Sequence, residues 1–265
     1  MSRGYVIQAI NNDTTDYVAC AKTLADSIHR VMPHSPITLM TTSDIVDSRF
    51  DHIIKIVDVD PTQWKLANDW QVYSLSPYQH TIKLEADMYI PRKIDWWWDV
   101  LSTRSMNICT TIRDFRGNIS TEQFYRRTFV ESNLANTYNA ITYFSKSAVA
   151  EEFYQLVRDI FENWLEYREL LKYSSEGRAT TDVVYAIAAK IIGYEHCTMP
   201  HFTDFSMVHM KQHINGLLSA RWHDELLYEI QPDRLRFNTH TQMYPVHYHT
   251  KSFQKIIDGE LAEYD

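Results

Sequence analysis

Thr81-Ile82-Lys83-Leu84-Glu85-Ala86-Asp87-Met88-Tyr89-Ile90-Pro91 joins a strand to a pair of acids. Residues Thr81 to Leu84 form a hydrophobic, strand-like run, and an apolar stretch resumes at Met88 before Pro91 stops it. Glu85 and Asp87, with one small residue between them at the end of a buried strand, make a compact anionic clamp. Such a clamp suits a hard divalent cation that itself holds a diphosphate, because these ions take carboxylate and phosphate oxygens. Taken alone, an acidic pair after a strand equally describes a solvated loop, so the surrounding chain has to decide.

Upstream, Gly4 to Ile10 reads as a buried strand ending in the polar turn Asn11-Asn12-Asp13-Thr14-Thr15-Asp16. Val18, Ala21, Leu24, Ala25, Ile28 and Val31 then recur at helical spacing, with Asp16 as N-cap and Pro33 as terminator. Pro36–Met40 and His52–Val57 read as two further strands, and 64–75 as a helix leading into the acidic strand. This β-α-β-β opening predicts a mainly parallel sheet with ligands at the carboxyl ends of its strands.

Downstream, Met106–Ile112 and Asn139–Phe144 are strand-like, and Ser147–Leu171 reads as one long amphipathic helix. A helix from Asp182 to Ile192 ends at Gly193, residues 232–250 read as irregular, and Lys251–Leu261 as a closing helix. Trp96-Trp97-Trp98 reads as packing, since consecutive helical residues cannot all face one groove. With 6 Gly and 8 Pro in 265 residues and no visible linker, we expect a single domain over 1–265 whose C-terminal tail folds back over the site.

The 45% hydrophobic and 23% charged content is that of an ordinary globular chain, and the 17 Tyr and 7 Trp make it rich in aromatics. Lys and Arg total 26 against 34 Asp and Glu, a net charge of −8 that argues against a general nucleic-acid or anionic-membrane coat. Cys20, Cys109 and Cys197 are scattered without CxxC spacing, which suits reduced thiols. No run of about 18 apolar residues is present to span a bilayer, and no signal-peptide region precedes the first strand. The expectation is a soluble, cytoplasmic protein with no membrane and no obligate protein partner.

Taken in order, these features resemble GT-A glycosyltransferases over roughly residues 4–255. Glu85-Ala86-Asp87 is similar to the family's acidic DxD motif, with Glu in the first position. Tyr138 to Phe144 resembles the acceptor-side strand, Thr180-Thr181-Asp182 the helix start that faces the sugar, and Val246-His247-Tyr248-His249-Thr250-Lys251 the C-terminal H-x-x-x-K element. The resemblance implies an α/β GT-A fold, Rossmann-like, with a mixed, mainly parallel sheet flanked by helices. Residues 1–112 would bind the nucleotide sugar; 113–255 would supply the acceptor half and the tail that completes the metal shell.

It also implies roles. Ala9, Ile10, Asn11 and Asn12 would meet the nucleotide, and Lys251 the diphosphate. Asp87, Glu85 and His247 are the metal ligands expected, with His249 the competitor of His247 because the two face one side of an extended segment. Mn²⁺ tolerates such a mixed set better than Mg²⁺. Asp182 and Asp114 are the carboxylates available near the reacting carbon, although Asp182 also suits a helix cap. The donor expected is a UDP-sugar.

The segments Leu84–Met88 and Val246–Lys251 are similar to small glycosyltransferases of T-even-like phages. This implies transfer of glucose or arabinose to hydroxymethylated cytosine, or to a sugar on it, in double-stranded phage DNA within the host cytoplasm. Such an acceptor requires base flipping, and Arg113, Arg116, Arg126 and Arg127 among aromatics would grip the strand. A GT-A enzyme acting on a polysaccharide, lipid-linked or small-molecule acceptor is the alternative. A noncatalytic metal-binding α/β protein is the third reading.

Overall fold

The computed structural model describes residues 2–57, 65–122, 124–174 and 177–263. Its strands are β1 (Arg3–Ala9), β2 (Ile37–Thr41), β3 (His52–Lys55), β4 (His80–Glu85), β5 (Met88–Tyr89), β6 (Met106–Cys109), β7 (Thr111–Arg113), β8 (Tyr138–Ser145), β9 (Ser206–His209), β10 (Tyr228–Gln231), β11 (Arg234–Phe237), β12 (His240–Thr241) and β13 (Val246–His247). The central sheet runs β3-β2-β1-β4-β8-β6. Its first four strands are parallel, and β8 is antiparallel to both β4 and β6.

Alternation along β1 builds the two layers. Tyr5, Ile7 and Ala9 face a core shared with the Tyr17–Val31 helix and with Trp97 and Trp98. Val6 faces the opposite core, under the Ala148–Glu162 and Thr181–Ile192 helices. Gly4 passes beneath Tyr78, where a Cβ would lie 2.4 Å from the ring. Asp16 accepts a hydrogen bond from the Ala19 amide and starts the first helix as expected. Of the three indoles, Trp97 and Trp98 are buried while Trp96 is 43% exposed.

Several sequence expectations are corrected. The Met106–Ile112 strand is two strands, because the register shifts between Ile108 and Cys109 and the chain crosses into a second sheet, β5-β13-β9-β7. The long helix breaks at Asn163, whose side-chain amide donates to the Asp159 carbonyl 3.1 Å away, and resumes as Trp164–Glu169. Within 64–75, Trp64 lies outside the described residues; the rest forms a 3₁₀ turn (Lys65–Asn68) and a short helix (Gln71–Leu75). The stretch 232–250, expected to be irregular, contributes to the antiparallel sheet β10-β11-β12 and contains β13. Pro232-Asp233 between two short alternating runs is the hairpin signal there.

The tail does fold back. β13 pairs antiparallel with β5 and parallel with β9, and the Tyr248 amide donates to the Asp87 carbonyl 3.2 Å away. No helix among the described residues is long and apolar enough to cross a membrane.

Cys20, Cys109 and Cys197 are free and buried. Burial pushes the Cys20 thiol up to about 11 and those of Cys109 and Cys197 up to about 12. Since the thiolate is the nucleophile, iodoacetamide at pH 8 is expected to label none of them quickly in the folded protein. All three should react after guanidinium is added, as read by intact mass; rapid labelling of the native chain would contradict this packing.

Candidate functional site

The site is built where β1 and β4 end. Gln8 pairs in register with Glu85, so the chain leaving β1 and the Glu85-Ala86-Asp87 segment emerge side by side. Two residues on from β4, Asp87 is reached by the tail: β13 sets His247 opposite Met88. His247 Nε2 lies 3.1 Å from Asp87 Oδ2 and 3.2 Å from Glu85 Oε2. Lys251 donates to Asp87 Oδ2 from the start of the Ser252–Ala262 helix.

These groups line a cavity of about 520 Å³. Its wall continues through Gln8, Ile10, Asn12, Tyr17, Asp69 and Lys83. Lys83 and Glu85 project from the same face of β4, being two residues apart.

Burial alone would raise the Asp87 carboxyl, but His247 and Lys251 beside it outweigh burial and hold it well below the usual carboxylate range. Glu85 responds the other way, because its burial exceeds the lowering effect of His247. Lys251 is held up by Asp87 against its own burial. Burial drives His209 and His249 well below the ordinary imidazole value, and the neighbouring imidazoles push in the same direction.

The donor set fits a hard-to-borderline divalent cation. Carboxylate oxygens from Glu85 and Asp87 and one imidazole nitrogen from His247 lie within 4.8 Å of one another. The separations of 3.1 and 3.2 Å from His247 Nε2 approach the roughly 3.0 Å that octahedral geometry with ~2.1 Å bonds sets between neighbouring ligands. His247 Nδ1 is buried without a partner among the described residues.

The other predicted site residues are distributed as follows. Ile10 and Asn12 line the cavity. Ala9 is buried in the core, and Asn11 accepts from the Val18 amide at the helix start. Asp182 does not cap its helix. Its Oδ1 accepts from the Asn139 amide at 2.8 Å, and its Oδ2 from Arg126 at 2.7 Å. Asn139 Nδ2 donates to Glu85 Oε1 at 3.0 Å, so one residue links Asp182 to the acidic pair. Asp114 closes the 114–118 turn by accepting from the Arg116 and Asn118 amides. Neither Asp114 nor Asp182 is among the cavity-lining residues, and only Asp182 is joined to the acidic pair, through Asn139.

The four arginines do not form one surface. Arg113 is buried and donates to Ser206 Oγ and to the Gly117 and Thr203 carbonyls. Arg126 is buried between the Phe129 and Tyr138 rings, bound to Asp182, Asn136 and Thr137. Arg116 reaches the Asn215 carbonyl, and the exposed Arg127 pairs with Glu131.

Sequence reasoning passed over the Asp69–Lys83 pair and His209. The two-residue spacing of Lys83 from Glu85 was the available signal for Lys83. His209 depends on a long-range pairing of β9 with β13 and carried no local signal.

No protein-family profile matches the sequence, and no curated protein matches it. Solved structures do. The galactosyltransferase LgtC, in complex with donor and acceptor sugar analogues, matches over 97% of this chain and 96% of its own, with a TM-score of 0.53 and 11% identity. GlyE, a glycosyltransferase of Streptococcus pneumoniae TIGR4, matches 74% of this chain with a TM-score of 0.42 and 11% identity, and this chain spans 45% of its length. Mouse xyloside xylosyltransferase 1 gives 0.46 at 8% identity, over 75% of this chain and 85% of its own. The likeness to LgtC establishes the fold: the mixed, mainly parallel sheet with flanking helices is that of GT-A glycosyltransferases.

Proposed function

We propose that this chain is a metal-dependent glycosyltransferase that takes a sugar from a nucleotide diphosphate donor, with UDP as the nucleotide and Mn²⁺ as the metal. The observation that carries this reading is the convergence of Glu85, Asp87, His247 and Lys251 on one cavity at the carboxyl ends of β1 and β4. When bound, a divalent cation would supply Lewis-acid stabilisation for the charge that develops on the departing diphosphate. Glu85, Asp87 and His247 would hold it. Lys251, whose ammonium lies on Asp87, would supply positive charge to the same developing charge. Gln8, Ile10, Asn12 and Tyr17 offer the wall for the nucleoside. Asp182, anchored by Arg126 and joined to Glu85 through Asn139, is the carboxylate we assign to the sugar side; Asp114, spent on its turn, loses support.

Two acceptor classes follow from different observations. The phage resemblance of Leu84–Met88 and Val246–Lys251 favours hydroxymethylated cytosine in DNA, or a sugar already on it. The inward-facing Arg113 and Arg126, with a net charge of −8, favour a saccharide or other small acceptor. A matrix of nucleotide sugars against hydroxymethylated DNA, plain DNA and oligosaccharides, in Mn²⁺, decides between them. Nucleotide release with at least one donor is expected. A mass increase confined to hydroxymethylated DNA would select the first class, and one on oligosaccharide the second. No nucleotide release with any donor, together with no donor binding, would leave the noncatalytic metal-binding reading.

A further inference from the structure

His209 and His247 sit directly opposite each other in the parallel pairing of β9 with β13. His249 follows with a left-handed φ of 55°, and its ring stacks on that of His247 with centroids 4.1 Å apart. His209 Nε2 then lies 3.3 Å from His249 Nε2, and the ligand nitrogens of all three rings fall within 4.8 Å. The Nδ1 atoms of His209 and His247 are buried and without a partner among the described residues. Three imidazoles packed this closely bring their ring nitrogens to one point, where a cation would take the lone pairs they present.

The set differs in kind from the carboxylate position beside it. Tetrahedral zinc with Zn–N bonds of about 2.0–2.1 Å places neighbouring nitrogens about 3.3–3.4 Å apart, which is the His209–His249 separation found here. Nitrogen-only sets favour zinc and similar ions, whereas carboxylate-rich sets suit Mg²⁺ and Mn²⁺. A neutral imidazole has one lone pair to give. His247 belongs to both sets and serves one ion at a time.

We propose that His209, His247 and His249 form a second metal position, selective for an imidazole-preferring divalent cation such as Zn²⁺, whose occupation excludes a cation from the Glu85–Asp87–His247 position. Zinc is thereby an antagonist of the metal that the proposed transferase chemistry uses. The inference rests on that reading for the carboxylate position, but its test involves no donor and no turnover.

Metal-free full-length protein is titrated with Mn²⁺, followed by the electron paramagnetic resonance of free Mn²⁺, and then with Zn²⁺. Zinc is expected to release the bound Mn²⁺. His209→Gln removes one of the three ligands and should weaken zinc by at least about 100-fold, the upper end of what losing an outer hydrogen-bond partner of a ligand already costs, and leave Mn²⁺ affinity unchanged. Equal zinc affinity in the two proteins, or zinc and Mn²⁺ bound together, would overturn the proposal. X-ray absorption of zinc-loaded wild-type protein tests the ligand set without any variant. Three imidazoles around zinc are expected; one imidazole with carboxylate oxygens would contradict it. Wild-type protein that binds zinc through three imidazoles but no Mn²⁺ would contradict the carboxylate metal site, and with it the exclusion.

Discussion

Asp87→Asn is expected to lower metal-dependent donor turnover by at least about 100-fold, the lower end of what removing a preorganised electrostatic group costs, while the protein remains folded. Asp87 is 4% exposed and faces His247 at 3.1 Å, with Lys251 on the same oxygen. The substitution conserves size and removes the charge that a divalent ion and Lys251 share. The backbone carbonyl that receives the Tyr248 amide is unchanged, so the tail keeps its docking point. Circular dichroism should show a native fold; calorimetry with UDP and Mn²⁺ should show nucleotide binding lost or severely weakened. Undiminished turnover would mean that the acidic pair is not the metal clamp.

Lys83→Met is expected to destabilise the fold by about 3–5 kcal/mol, as breaking a buried ion pair from one side does. Lys83 and Asp69 are 2% and 4% exposed at the side chain and 2.6 Å apart. Tyr185 donates its hydroxyl to the same Asp69 carboxylate, and Lys83 also donates to the Asn139 carbonyl 3.3 Å away. Truncating Lys83 leaves a carboxylate in the protein interior with the neutral Tyr185 hydroxyl as its remaining side-chain donor among the described residues. In a domain of this size the loss corresponds to a fall in Tm on the order of 10 °C. The double variant Lys83→Met, Asp69→Leu should recover most of that loss, because well-packed apolar groups often match a buried pair. A single variant as stable as wild type would show that the pair is solvated. Both residues line the cavity, so the double variant also reports, through donor affinity, whether the pair meets the ligand.

The parts of the fold legible in the sequence are those in which local pattern and tertiary role coincide. Alternation in Tyr5-Val6-Ile7 and the helical spacing from Val18 to Val31 reflect real faces of β1 and its helix. The Glu85/Asp87 pair and the His247…Lys251 spacing each sit within a few residues, so both stood out as candidates before the structure brought them into contact. What escaped depends on distant partners. Nothing near Cys109 announces that the chain leaves one sheet for another, because β7 finds its partner in β9, more than ninety residues on. Arg113 and Arg126 looked like a solvent-facing grip because an arginine's burial is decided by acceptors such as Ser206 and Asp182, far away in sequence. The β10-β11 hairpin, by contrast, was written locally at Pro232-Asp233 and was passed over among the polar residues around it.

The central claim is that the acidic pair and the tail histidine hold one cation against a nucleotide diphosphate. Its most direct test is a crystal grown with Mn²⁺ and UDP, measured at a wavelength where manganese scatters anomalously. A single anomalous peak is expected in bonding contact with Asp87 and His247, with diphosphate oxygens on its far side and Lys251 turned toward them. A peak elsewhere on the chain, or UDP bound in the cavity with no manganese beside Asp87, would contradict it.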